Sequence, residues 1–218
     1  MLKLYGYWRS SAAYRVRIAL NLKELDAEQI SVHLVKNGGE QHQSDYALMN
    51  PQELVPTLID TDDQGKEFVL SQSMAILEYL DERYPESKLI PSDVQSKALM
   101  RSLAFAIACE VHPLNNLKVL QYLASELAIT DEAKTAWYHH WIHEGFSAFE
   151  KQLEKHAGRF CFGDSITVVD LCLIPQVYNA HRFKVDLSAY PNILRITENC
   201  NQLDAFIQAM PENQFDAV

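Results

Sequence analysis

Ser10 and Ser11 stand between an apolar alternation, Leu2-Lys3-Leu4-Tyr5, and the run Ala12-Ala13-Tyr14-Arg15-Val16-Arg17-Ile18-Ala19-Leu20. The alternation is that of a half-buried strand, and the run after it carries apolar residues at helical spacing. Two serines at that junction offer N-cap oxygens to the helix. They also lie at its positive end, where unpaired main-chain N–H groups and the helix dipole suit an anion. Capping alone would account for Ser10. Arg9, Arg15 and Arg17, however, put three cations into one short segment of a chain whose formal net charge is -10. That concentration points to an anion site.

The elements that must position these residues follow in order. Gln29–Leu34 alternates as a second strand, parallel to the first after a helical crossover. Lys36–Asn50 is polar and holds a short helix over Ser44–Leu48. Val55-Pro56-Thr57 opens a third strand, a position that suits proline because it needs no N–H donor. Asp60–Lys66, with Gly65, is a turn, and Phe68-Val69-Leu70 returns as the fourth strand. Ser71-Gln72-Ser73 caps a helix that runs to Tyr84-Pro85. Residues 1–84 therefore read as βαβ followed by ββα, residues 85–93 as a linker, and residues 94–218 as an all-helical domain. Within the latter, Val94–Leu127 is one helical pattern broken near His112 by Pro113, which removes a bond and clashes with the preceding turn. The next helix spans Asp131–Lys155, with Trp137, Trp141, Phe146, Phe149 and Leu153 on its apolar side. Phe160 and Phe162, in the Gly158–Gly163 loop, plug the core. Thr167 caps a further helix, with Asp170 at N3 and Ile166 stapled to Leu171. That helix runs through Pro175 to Phe183. Helices also start at Tyr190-Pro191 and Leu203, and Pro211–Val218 is expected to fray.

Composition narrows the function classes. The acidic balance argues against a nucleic-acid surface and against anionic membranes. No stretch reaches the ~20 apolar residues of a membrane span, and Met1 leads straight into the first strand without a signal-peptide run. Cys109, Cys161, Cys172 and Cys200 are far apart and read as reduced core thiols of a cytoplasmic protein. His139 and His143 share a helix face, but a third ligand and the His-Glu-x-x-His pattern are missing, so no metal is expected.

The pattern Arg-Ser-Ser-x-x-x-Arg-Val-Arg-Ile-Ala-Leu, formed here by Arg9 to Leu20, resembles the signature of zeta-class glutathione transferases, a group that includes maleylacetoacetate isomerases. The similarity runs over almost the whole chain. It implies a thioredoxin-like α/β domain followed by a helical domain, glutathione as cofactor, and a homodimer. Thioredoxin-like folds usually place Cys-x-x-Cys at this turn; Ser10-Ser11-Ala12-Ala13 replaces it, so any sulfur arrives on the cofactor. Ala12 stands where the family usually has cysteine.

By the same resemblance Ser10, or else Ser11, holds the thiolate, and Arg15 joins them in catalysis. Gln41, Val55, Pro56, Gln72, Ser73, His112, Asn116 and Lys118 bind glutathione. Pro56 is expected to be cis, leaving Val55 to pair with the extended tripeptide as an added strand. Ser73, at a helix N-terminus, suits the γ-glutamyl carboxylate. Arg9 and Arg182, the latter in Asn-Ala-x-Arg-Phe, hold substrate carboxylates. Arg15 could instead be an ion-pair partner inside the fold. The implied activity is glutathione-dependent cis–trans isomerisation of a short unsaturated dicarboxylic keto acid, maleylacetoacetate to fumarylacetoacetate, in tyrosine and phenylalanine catabolism. The alternatives are a maleylpyruvate isomerase, a transferase acting on α-halo acids, and a glutathione-binding protein without turnover.

Overall fold

Alternate side chains start the fold. In the computed structural model, which describes residues 1–218, strand β1 (Leu2–Gly6) buries Leu2 and Leu4 while Lys3 and Tyr5 stay half-buried. Helix α1 (Ser11–Leu22) then buries every residue from Ala13 to Leu20, arginines included. A helix covered on all sides in this way must be packed on several elements. It crosses to β2 (Ala27–Ser31), parallel to β1 from Leu2↔Ala27 to Gly6↔Ser31. The strand lies earlier than the expected Gln29–Leu34 because its partner ends at Gly6; one further bond, Val32 N–H to the Gly6 carbonyl at 2.6 Å, closes the pairing.

Helix α2 (Ser44–Met49) precedes β3 (Thr57–Thr61), and β4 (Glu67–Ser71) leads into α3 (Ser73–Arg83). β3 runs antiparallel to both β1 and β4, giving a four-stranded sheet in the order β2-β1-β3-β4. This is the thioredoxin-like arrangement. The buried Lys23 ammonium closes the end of α1: it pairs with Asp81 of α3 at 2.9 Å and donates to the carbonyls of Tyr84, Glu86 and Ser87.

The helical unit contains α4 (Val94–Phe105), α5 (Leu117–Ser125), α6 (Asp131–His156), α7 (Val168–Arg182) and α8 (Pro191–Cys200). The expected single break at Pro113 is a longer irregular stretch: a π-helical turn spans Ala106–Val111 and a 3-10 turn spans Pro113–Asn115. Gly145 of α6 is what lets the π turn come close, since a Cβ there would lie 2.2 Å from the Val111 side chain. Along α6 the core stripe is Tyr138, Ile142, Phe146, Phe149 and Leu153, so Trp137 and Trp141 fall beside it. Trp137 instead donates its indole N–H to the Leu114 carbonyl at 2.8 Å. Phe160 is buried, and Phe162 is only half so.

The Thr167–Asp170 capping box forms as expected, with the Asp170 carboxylate accepting from the main-chain N–H groups of Thr167 (2.9 Å) and Cys161 (2.8 Å). Burial raises the Asp170 carboxyl above its usual range, and these bonds oppose that rise. Thr167→Ala is expected to cost ~1 kcal/mol or somewhat more. A lower denaturation midpoint at unchanged slope would register it; an unchanged midpoint would contradict it.

The C-terminal segment departs from the sequence-based division. Contacts group Gln202–Val218 with Met1–Lys88, and Leu89–Asn201 with itself. Helix α9 (Asp204–Ala209) packs on α1, and the residues after it are hydrogen-bonded rather than frayed. No helix is long and apolar enough to cross a membrane.

Candidate active site

Ser10 is the N-cap of α1. Its Oγ accepts the Ala13 N–H at 3.2 Å, and its own N–H donates to the Tyr7 carbonyl at 2.9 Å, closing a turn over Tyr7–Ser10. A capping hydroxyl still has its proton to donate. Ser10 is half-exposed, whereas Ser11, the first helical residue, is 5% exposed. Ser10 is thus the more accessible of the two serines at the helix end.

Arg15 is 2% exposed on α1 and donates Nη1 to the Ser73 hydroxyl at 3.2 Å. Its Nε and Nη2 are buried without a hydrogen-bond partner. The ion-pair alternative raised by the sequence is not what forms: the contact is a hydroxyl. A buried cation carrying idle donors is costly, and an anion is the partner that would satisfy it. Ser73 is the first residue of α3 rather than its cap; the cap position belongs to Gln72, held at φ 72°. This left-handed conformation is uncommon outside glycine and orients the Gln72 peptide at the helix entrance. The Gln72 side chain donates to Gln52 Oε1 at 2.7 Å. An unsatisfied guanidinium, a hydroxyl and a helix N-terminus thus converge, and a carboxylate fits them.

Val55 precedes β3, and its peptide bond to Pro56 is cis. The loop leading to it is fixed by residues that sequence reasoning passed over. The Leu54 carbonyl accepts from Tyr46 Oη at 2.6 Å and from Asn50 Nδ2 at 2.7 Å, and both side chains also reach the Thr57 hydroxyl. Burial raises the Tyr46 phenol, which keeps it a donor. An Asn-Pro pair six residues before Pro56 was the available signal. Gln41 is buried, with Nε2 3.0 Å from His42 Nε2 and Oε1 unpartnered. His42 in turn pairs with Glu53.

Arg9 is not buried with its neighbours. It donates to the Tyr7 hydroxyl at 2.9 Å and lies over the Trp8 ring, 4.7 Å from its centroid. Arg17, by contrast, is buried and spends its donors on main-chain carbonyls, a structural use of a cation that the sequence had counted toward an anion site. Of the three arginines expected at an anion site, Arg17 is thus a structural residue, and Arg15 and Arg9 are the two that remain for it.

Within the helical unit, His112 ends the π turn and Asn116 caps α5, its Oδ1 accepting the Lys118 N–H at 3.1 Å. Lys118 is exposed, and Asn115 is buried, donating Nδ2 to the Tyr138 carbonyl. Arg182 ends α7, exposed, with Nη1 3.5 Å from Asn179 Oδ1 and its guanidinium over Phe183. Phe183 stacks on Tyr138. His139 and His143 are bonded within the packing, to the Phe183 carbonyl and to Tyr190. Burial pushes the Cys161 and Cys200 thiols up, which makes both poor nucleophiles. Cys109 is exposed, contrary to its reading as a core thiol.

A βαβ–ββα sheet with a serine-capped first helix, joined to an all-helical unit, defines the class. Residues 1–82 match the family profile "Glutathione S-transferase, N-terminal domain" and residues 118–212 match "Glutathione S-transferase, C-terminal domain". A Vibrio cholerae protein named "Probable maleylacetoacetate isomerase" is 52% identical over 99% of this chain and 98% of its own. A "Maleylpyruvate isomerase" of a Ralstonia species is 44% identical over 99% of this chain and all of its own. The crystal structure of a maleylacetoacetate isomerase from Methylobacterium extorquens AM1 with bound malonate and GSH superposes with a TM-score of 0.92. It is 39% identical and covers 99% of each chain. The chain belongs to the zeta class of the glutathione S-transferase family.

Proposed function

We propose that this chain isomerises maleylacetoacetate to fumarylacetoacetate with glutathione as cofactor. The observation that carries the reading is the anion site of the α/β unit: a capping hydroxyl at one helix N-terminus and, at another, Ser73 above the idle nitrogens of buried Arg15. Glutathione, which is both a thiol and a carboxylate-bearing peptide, suits both ends. Gln72 and Ser73 take its γ-glutamyl carboxylate, and Arg15, expected in catalysis beside the two serines, is reassigned to that carboxylate on the strength of its bond to Ser73. Val55 pairs with the main chain of glutathione, and Gln41 completes the contact. His112, Asn116 and Lys118 are assigned to glutathione by family resemblance.

When bound, glutathione supplies a thiolate that adds to the conjugated cis double bond and leaves once the carbon–carbon axis has turned, restoring the alkene in trans and returning unchanged. The protein's part is electrostatic and positional. Ser10 would donate a hydrogen bond from its hydroxyl to the sulfur, keeping it as thiolate, and the α1 dipole assists. Arg9 and Arg182 hold the carboxylates of the substrate, and cationic groups stabilise charge developing on its carbonyl oxygen. No protein thiol is needed, so Ala12 in place of the family's cysteine leaves the chemistry intact. Ala12→Cys is expected to change kcat/KM by less than tenfold.

A second reading has its own support in the 44% identity to the maleylpyruvate isomerase, whose substrate calls for the same apparatus. Comparing kcat/KM on the two keto acids decides: preference for maleylacetoacetate supports the proposal, and preference for maleylpyruvate replaces it. The Arg182 assignment has a separate test. Arg182→Ala should weaken substrate by ~1.5–3 kcal/mol, the value of a charge-assisted bond, with glutathione affinity hardly moved. Equal loss of both would make Arg182 structural.

We also propose a homodimer, supported by Phe68 and Val69, which are 48% and 41% exposed on the edge strand β4. A cytoplasmic location agrees with four free cysteines.

A further inference from the structure

The turn that delivers Ser10 to α1 is gripped by Arg17 of α1 itself and by Asp216 from the far end of the chain. Arg17 donates Nη2 to the Trp8 carbonyl at 3.0 Å and Nη1 to the Tyr7 carbonyl at 3.5 Å, and its Nε ties the Ala209 carbonyl of α9 at 3.1 Å. The N–H of the same Tyr7–Trp8 peptide donates to Asp216 Oδ2 at 3.2 Å. Asp216 comes from the last residues of the chain, and the same oxygen accepts the Ser31 hydroxyl at 2.7 Å at the end of β2. Gln214 pins this tail by donating to the carbonyls of Gln208 and Met210, both at 2.8 Å. The space left between tail and turn is only ≈ 10 Å³, lined by Tyr7, Trp8, Arg17, Ser31 and Asp216 among others. That is about the room one water needs.

We propose that Asp216 is a positioning residue for the active-site serine. It fixes the Tyr7–Trp8 peptide, and through the Ser10 N–H bond to the Tyr7 carbonyl it fixes the direction in which the Ser10 hydroxyl points. Asp216 is the acceptor that the Trp8 N–H has in this structure, and alanine would take it away. Such a group costs more unpaired than paired, and the turn would shift to relieve it. The C-terminal segment is then a working part of the site, not a trailing end. This inference rests on the reading that Ser10 stabilises the glutathione thiolate.

Asp216→Ala and Asp216→Asn separate positioning from general stability. In Asp216→Ala the Trp8 amide, followed by hydrogen exchange, should exchange at least tenfold faster. The thiol of bound glutathione, titrated by its ultraviolet thiolate band, should ionise at higher pH. The kcat should fall about five- to tenfold while KM for glutathione moves less than twofold. Asp216→Asn keeps an acceptor for the Trp8 N–H and should recover most of each change. If Asp216→Ala does not fold, Ser31→Ala, which removes only the second bond to the same oxygen, should give the same pattern at two- to threefold. Unchanged Trp8 exchange overturns the proposal, as does faster exchange with wild-type thiol ionisation and kcat. A wild type that binds glutathione without lowering its thiol pKa fails the Ser10 reading itself, a result the Trp8 exchange arm does not depend on.

Discussion

Ser10→Ala should raise the pKa of bound glutathione by about one to two units, because a hydrogen bond to a charged group is worth ~1.5–3 kcal/mol and one unit is ~1.4 kcal/mol. At neutral pH kcat should drop ~10- to 100-fold. Raising the pH should return part of that loss, since the variant lacks thiolate rather than a binding site. Ser10 is also the cap of α1, accepting the Ala13 N–H, so alanine carries a structural cost of ~1 kcal/mol. Ser10→Gly separates the two roles: glycine is tolerated at the cap within a few tenths of a kcal/mol but has no hydroxyl. Equal losses of turnover in the two variants, with only alanine lowering stability, would assign the effect to the hydroxyl. Retained activity in the glycine variant would mean that Ser10 is only a cap. Loss of activity in Ser11→Ala alone would transfer the role to Ser11.

The second large effect concerns Arg15. Its guanidinium is buried with Nε and Nη2 unpartnered, and its one bond is to a neutral hydroxyl. Replacing a poorly paired buried charge with an apolar side chain of similar reach is often neutral or stabilising. Arg15→Met should therefore leave the ligand-free protein as stable as the wild type, or more so. Its glutathione affinity should fall ~10- to 150-fold, the equivalent of ~1.5–3 kcal/mol for a charge-assisted bond. Calorimetric binding and ligand-free thermal unfolding, measured together, give the answer. Lower stability with unchanged affinity would make Arg15 a packing element and remove the carboxylate assignment.

Much of this was legible because the devices are local. Serine before an apolar helix, Thr167 three residues before Asp170, and Val-Pro-Thr opening a strand are each set by main-chain requirements within a few residues. What escaped depends on partners far away in sequence. Arg15 and Arg17 are two residues apart and look alike, yet one meets Ser73 with donors to spare and the other donates to the carbonyls of Tyr7, Trp8 and Ala209. Nothing in the local pattern separates them. The tail read as frayed for the same reason: Asp216 gains its role only when β2 and the Tyr7–Trp8 turn lie beside it. Asn50 and Tyr46 look like ordinary loop and helix residues until the Leu54 carbonyl is placed between them. The π turn before Pro113 reflects packing as well, since the proline accounts for a break at His112 but not for irregularity beginning at Ala106.

The central claim is that a chain with Ala12 at the family's cysteine position isomerises its substrate using glutathione as the only thiol. The direct measurement follows maleylacetoacetate by proton NMR with the wild-type protein, with and without glutathione, counting both products and cofactor. The account predicts fumarylacetoacetate formed over many turnovers only when glutathione is present, with the glutathione signal undiminished at the end. No isomerisation with glutathione bound, or glutathione consumed one for one with substrate, would contradict it.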